Sequence, residues 1–178
     1  DFSDEMIRIA TQLHPEAEFR TGDAEKLPFK ARCFSAVAMN FSVHHFVHPQ
    51  SVLSEARRVL RPGGRVAFSV WASPDVAKGA SIVYAALKAH GTLQVQLPPE
   101  PPLWRLDAPD AACRVLREAG FDDPVVASVA QTWCLDSPAD FWRSFYDGSV
   151  RTKALLRAQS ASALALIRRA IDESLRLF

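Results

Sequence analysis

Two apolar runs on either side of one amphipathic stretch constrain this chain more than any other feature. Residues 34–40 read Phe-Ser-Ala-Val-Ala-Met-Asn, and residues 65–71 read Arg-Val-Ala-Phe-Ser-Val-Trp. Both are short and nearly continuous in apolar side chains, as expected of strands covered on both faces. Between them, Gln50 to Leu60 places Val52, Leu53, Ala56, Val59 and Leu60 at helical spacing, with Glu55, Arg57 and Arg58 expected on the outer side. Arg61-Pro62-Gly63-Gly64 then breaks the helix, the two glycines allowing a tight reversal into the second strand. A strand, a helix and a strand of these lengths form a right-handed parallel crossover.

The pattern extends upstream. Ser3 to His14 reads as a helix with Ser3 as its N-cap, Asp4 and Glu5 at the positive end of the dipole, and Met6, Ile9, Ala10 and Leu13 as one apolar stripe. Pro15 stops it, and Glu16 to Thr21 reads as a short strand running into Gly22-Asp23. The first 71 residues therefore predict a Rossmann-like, doubly wound α/β sheet with helices on both faces. Downstream, Val76 to His90 predicts a helix, and the five prolines within 97–109 predict a connector. Pro109 to Ala119 predicts a helix closed by Gly120, and Val125 to Trp133 predicts a strand. Residues 137–178 predict a helical region broken near Gly148. Its tail from Thr152 spaces Leu155, Leu156, Leu164, Ile167, Ile171 and Leu175 as either a core-covering helix pair or a partner surface such as a homodimer's.

Composition excludes several classes. With 178 residues the chain suits one domain with a sizeable core. Its 21 Lys+Arg against 20 Asp+Glu argue against a nucleic-acid partner for the whole protein. Cys33, Cys113 and Cys134 lack the spacing of a zinc site or a disulfide framework, so they are expected to be buried or inert thiols in a reducing cytoplasm, with no metal. No apolar run reaches the length of a membrane span. The chain opens on Asp1 rather than Met and holds only seven glycines, which raises the expectation of a piece missing upstream.

Ligands of open α/β sheets bind beyond the carboxyl ends of the parallel strands. Three segments fall there: Asp1, Gly22-Asp23-Ala24, and Asn40 to His48. A carboxylate at a strand end can accept both hydroxyls of a ribose, and one flanked by Gly and Ala can accept an exocyclic amine. The residues themselves therefore point to a nucleoside-like ligand, with capping or turn roles for Asp1 and Asp23 as the alternative.

Four blocks carry a resemblance in the right order: Asp1-Phe2-Ser3-Asp4-Glu5-Met6, Gly22-Asp23-Ala24-Glu25-Lys26-Leu27-Pro28-Phe29, Asn40-Phe41-Ser42-Val43-His44-His45-Phe46, and residues 55–64 (EARRVLRPGG). Together they resemble the class I S-adenosylmethionine-dependent methyltransferases of the type 11 domain, in the small-molecule branch that includes ubiquinone and menaquinone C-methyltransferases. The run Pro109 to Phe121 resembles the helix that often precedes that family's sixth strand. The resemblance implies S-adenosyl-L-methionine as cofactor and a small-molecule methyl acceptor. It implies that Asp1 binds the ribose hydroxyls, that Phe2 and Met6 lie near the adenine (with core packing as the alternative for Met6), that Asp23 accepts the adenine amino group and that the Ala24 N–H meets the ring. Asn40 and Phe41 would lie along the methionyl part, facing the substrate.

Methyl transfer asks the protein mainly for in-line positioning and a way to lose a proton. His44 and His45 are the candidate bases, with packing or capping as their alternative role, while His48 before Pro49 reads as structural. Trp71, Trp104 and Trp133 are candidates to line a pocket or to pack in a core. On this reading 1–178 is one truncated methyltransferase domain, with 1–73 holding the cofactor and 74–178 forming the substrate-side and helical part. The glycine-rich loop that cradles the cofactor's amino-acid end in that family has no counterpart, since no Gly-x-Gly occurs, nor does the family's last strand. Methylation of RNA or protein, and a non-catalytic binding module on the same fold, are the alternatives. The loop from Asn40 lacks the Asn/Asp-Pro-Pro-aromatic run frequent in base-methylating relatives.

Overall fold

The computed structural model describes residues 1–98, 101–102 and 104–177. They form two compact units, one of residues 1–71 and 100–127, the other of residues 72–99 and 128–178. The first carries the α/β pattern. Its elements are α1 (Asp4–Leu13), β1 (Phe34–Met39), α2 (Pro49–Val59), β2 (Leu60–Phe68) and α4 (Pro109–Glu118), with α3 (Lys78–His90) falling in the second unit. β1 and β2 pair in parallel, with Ala36 opposite Arg65, Val37 opposite Val66, Ala38 opposite Ala67 and Met39 opposite Phe68.

Leu60 already pairs with Phe34, so residues 61–64 bulge out of the ladder at its start. Glycine is required there twice over. Gly63 has φ +76°, and a Cβ on Gly64 would come within 2.9 Å of the Arg61 carbonyl oxygen and 3.1 Å of that of Ser35.

The crossover helix α2 buries Val52, Leu53, Ala56 and Val59, as its spacing predicted. Val43, Leu53, Leu106, Val115 and Ala119 form the core of this unit, joined by Met39, Val66, Phe68 and Val70 from the strands. The strands are not covered on both faces. Val37, Met39, Val66 and Phe68 are half-buried, whereas their neighbours Ala36, Ala38, Arg65 and Ala67 are exposed. Period-two burial is the signature of a sheet with one layer against it, and among the described residues the sheet has two strands.

Three further expectations are corrected. Residues 16–21 form no strand; residues 20–22 instead meet the first residue through two backbone bonds, Gly22 N–H to the Asp1 carbonyl (2.8 Å) and the Asp1 amino group to the Arg20 carbonyl (3.2 Å). Val125 to Trp133, expected as a strand, is irregular and exposed, with no partner strand among the described residues. Glu55 and Arg58 do not simply face outward. The Arg58 guanidinium bonds both Glu55 carboxylate oxygens (2.7 and 2.8 Å) and the carbonyls of Phe29 (2.9 Å) and Leu27 (3.1 Å). Glu55 in turn accepts from the Leu27 N–H (2.8 Å). These bonds fasten the 23–30 loop to α2, and those from Arg58 hold the Glu55 carboxyl below its ordinary pKa.

The second unit is helical: α3, α5 (Pro138–Tyr146), α6 (Val150–Arg157) and α7 (Ala161–Leu175). Val83, Leu87, Phe141, Leu156, Ile167 and Ile171 meet in its core, so the apolar spacing of the tail is that of a core-covering helix pair. Gln159 closes the α6–α7 turn by bonding both the N–H and the carbonyl of Thr92 (2.9 Å each). The described residues between 97 and 108 lie in no helix or strand, as expected of a connector; Pro99, Glu100 and Leu103 of that stretch lie outside the described residues, as does Phe178 at the end of the tail. None of the cysteines is paired; Cys33 and Cys113 are half-buried, but Cys134 is exposed in the irregular 127–136 segment rather than buried. No described helix is long and apolar enough to cross a membrane.

The Arg58 clamp gives a direct expectation. Arg58→Met should leave far-ultraviolet circular dichroism intact while trypsin cleaves several-fold faster after Lys26 and Lys30. Unchanged cleavage would show that the loop is held by something else.

Candidate functional site

Parallel strands deliver their carboxyl ends to one side, and the loops after β1 and β2 leave the sheet there. The Ser69 hydroxyl joins them: it donates to Asn40 Oδ1 (2.6 Å) and accepts from the Phe41 N–H (3.0 Å), while the Ser69 N–H bonds the Met39 carbonyl (3.1 Å). Phe41 sits at φ +48°, a left-handed conformation that costs a bulky side chain of order 1–3 kcal/mol. Its ring stacks on Trp71 with centroids 4.1 Å apart and planes 21° from parallel. Ser69 is the residue that sequence reasoning missed, its one visible signal being a polar side chain within the apolar run 65–71, whereas Trp71 was already a candidate lining residue.

Asp1 and Asp23 each sit in a local turn. One Asp1 carboxylate oxygen accepts from the Ser3 N–H (2.8 Å), and one of Asp23 accepts from the Glu25 N–H (2.9 Å). This is the turn role held as an alternative, but it uses only Oδ1 in each case. Both side chains are exposed, which leaves Oδ2 open to a ligand donor. Phe2 is 83% exposed beside Asp1, and the Ala24 N–H has no hydrogen-bond partner among the described residues. The backbone bonds between Asp1 and residues 20–22 bring the first two candidate segments together. No hydrogen bond or ring contact joins Asp23 to Asn40 or Phe41 among the described residues.

The two histidines occupy different environments. Val43–His45 is a single 3-10 turn, packed on α2. It turns His44 inward to 1% exposure, with neither ring nitrogen hydrogen-bonded, and leaves His45 in solvent with the two rings 4.1 Å apart. Burial, followed by the nearby charges of His45 and Arg105, lowers the His44 pKa from 6.5 to about 4. Arg105 closes over this turn, donating to the carbonyls of Phe46, Val47 (3.3 Å) and His44 (3.5 Å). His44 is thus a neutral packing residue at neutral pH, and His45 is the histidine of the pair that solvent reaches. Trp104 is half-buried in the first unit and Trp133 is 53% exposed in the second.

Residues 1–68 match the family described as methyltransferase domain. That segment is similar in sequence to methyltransferase domains. It holds Asp1, Asp23, Asn40, Phe41 and both histidines. The chain is 40% identical over 74 residues to a demethylmenaquinone methyltransferase of Streptomyces avermitilis, covering 42% of this chain and 32% of that protein. It is 44% identical over 64 residues to one from Chlorobaculum tepidum, covering 36% and 26% respectively. The chain thus spans about a third of the length of the curated relatives it matches. A crystal structure described as that of a methyltransferase from Bacillus halodurans aligns with a TM-score of 0.56 at 19% identity, over 93% of this chain and 70% of that one. This likeness is one of fold, of the Rossmann-like α/β class.

His44 makes stability depend on pH in a defined direction. Its folded pKa is depressed below the unfolded value, so between about 6.5 and 4 the unfolded chain binds a proton that the folded one refuses. The stability it contributes is whole above pH 6.5 and is lost as pH falls toward 4. Urea midpoints measured at pH 7.5 and pH 5 should drop in the parent and drop less in His44→Leu; equal drops would place the sensitive group elsewhere.

Proposed function

We propose that this chain is part of an enzyme that transfers a methyl group from S-adenosylmethionine to a small-molecule acceptor. The observation that carries the reading is the pair of exposed carboxylates at Asp1 and Asp23, joined through the backbone of residues 20–22. Each keeps one oxygen free for a ligand. Such a set suits a nucleoside: the free oxygen of Asp1 accepts ribose hydroxyls, and that of Asp23 accepts an exocyclic amine. The unpartnered Ala24 N–H is placed one residue on to meet a purine nitrogen. Phe2 offers an apolar surface beside Asp1, and Asn40 and Phe41 border the methionyl end. The match of residues 1–68 to the methyltransferase family and the names of the curated relatives support this assignment.

The cofactor, when bound, supplies an electrophilic methyl group on a sulfonium. The chain's own part is to hold, to orient and to receive a proton. Ser69 fixes Asn40 and Phe41 from both sides, so the segment that borders the reacting centre is rigid before any ligand arrives. His45 is the group that can take the acceptor's proton, because its ring is open to solvent. His44, whose ring is sealed and whose pKa is near 4, holds the 3-10 turn in shape instead. Sequence motifs of the small-molecule branch favour a small acceptor over RNA, as does a net charge of +1.

Calorimetric titration with S-adenosylhomocysteine tests the reading. The protein should bind it, and Asp23→Ala should weaken binding about tenfold, the equivalent of one hydrogen bond at about 1.4 kcal/mol. No binding by the parent would overturn the proposal, and undiminished binding by Asp23→Ala would overturn the adenine assignment. His45→Gln should then lower the rate at saturating cofactor while leaving that binding unchanged.

A further inference from the structure

We infer that Phe41 and Trp71 form a stacking platform for a planar aromatic ring of the methyl acceptor, with Trp71 as the specificity-determining residue. The inference rests on the methyltransferase reading for the word acceptor, and on four observations for the platform itself. The two rings are near-parallel at 4.1 Å, and Trp71 remains 42% exposed. An exposed indole stacked on a second ring presents a flat π-face, held in orientation, to whatever approaches.

The pair lies at the carboxyl ends of β1 and β2, two and three residues past Met39 and Phe68 respectively, where the chain leaves a parallel sheet. Neither ring belongs to the apolar core of its unit, which is built from Val43, Leu53, Leu106, Val115 and Ala119 with flanking residues from the strands. The stack is therefore not there to fill the interior. Finally, Phe41 is held at φ +48° by Ser69 on its N–H, with Asn40 tied to the same hydroxyl. A left-handed phenylalanine persists only where its surroundings over-determine it, and here that conformation is what accompanies its ring lying flat on Trp71.

A flat ring gains from such a surface what a puckered ring of the same carbon skeleton does not. Stacking of a planar ring on an aromatic side chain adds to affinity beyond area burial. Discrimination by shape is thus the distinguishing property of this site, rather than affinity for apolar molecules in general.

The test compares 2-naphthol with its saturated counterpart, decahydro-2-naphthol, by calorimetry on the whole chain. The parent should bind the flat compound about tenfold more tightly. Trp71→Leu should erase the difference and Trp71→Phe should keep part of it. Phe41→Gly, which accepts the left-handed backbone without strain, should reduce the difference while the protein stays folded by circular dichroism. Equal affinities in the parent, or a preference that survives Trp71→Leu, would overturn the inference. Adenosine binding that disappears in Trp71→Leu would also overturn it, by giving the platform to the cofactor. S-adenosylhomocysteine binding, measured separately, reports on the methyltransferase reading: its absence with naphthol discrimination intact would leave the platform standing and remove only its assignment to a methyl acceptor.

Discussion

The parallel pairing of β1 with β2 is the constraint from which the rest of the first unit follows. Parallel neighbours need a crossover, and α2 supplies it within the short interval between Met39 and Leu60. The helix must lie against one face of the pair, so it buries Val52, Leu53, Ala56 and Val59, and the strands turn Val37, Met39, Val66 and Phe68 toward it. No residue separates α2 from β2. The four-residue bulge at 61–64, with glycine at its two tightest points, absorbs the change of direction. The same pairing sends both strand ends to one side, which is why a single hydroxyl, that of Ser69, can hold Asn40 and Phe41 together.

The crossover helix has a second load. Its outer edge carries Glu55 and Arg58 one turn apart, and that pair holds the backbone of the loop containing Asp23 to Phe29 through Leu27 and Phe29. An i, i+3 ion pair on an exposed helix contributes little by itself. Here the value lies in the three backbone groups it satisfies, because a loop without secondary structure has no other place to put them. Core packing on one side of α2 and loop anchoring on the other therefore make the position of Asp23 depend on the position of the sheet.

Much of this was legible in the sequence. The α2 spacing, the Ser3 cap, the Pro-Gly-Gly break and the C-terminal glycine of α4 are local signals, and the structure reproduces them because local chemistry decides them. Residues 125–133 show the opposite case. Read alone they suggest a strand, but strand formation is decided by a partner, and local sequence does not carry that information. The same reason explains why FSAVAMN suggested two covered faces where one is found: alanines at 36 and 38 count as apolar in a run yet stand exposed. In the candidate site, the types of the carboxylates were readable. The free oxygens were not, since they depend on turns closed by Ser3 and Glu25. The difference between His44 and His45 was also hidden, because a 3-10 turn separates adjacent side chains in a way that neither helical nor strand spacing describes.

The loop after β1 gathers two unfavourable features within four residues: a left-handed phenylalanine and a buried imidazole with no hydrogen-bond partner. Each opposes folding by an amount of order 1–3 kcal/mol. Neither is needed to complete the sheet, which ends at Met39, or to start α2, which begins at Pro49. A chain shaped by stability alone would place glycine or asparagine at position 41 and an aliphatic side chain at 44, and both substitutions would fit the local backbone or core. What the actual residues achieve is fixed geometry: an aromatic ring laid flat on Trp71 at a strand end, and a rigid turn that leaves His45 in solvent. Local cost accepted for geometry, in a loop at the carboxyl end of a parallel sheet, fits the positioning role proposed for these residues.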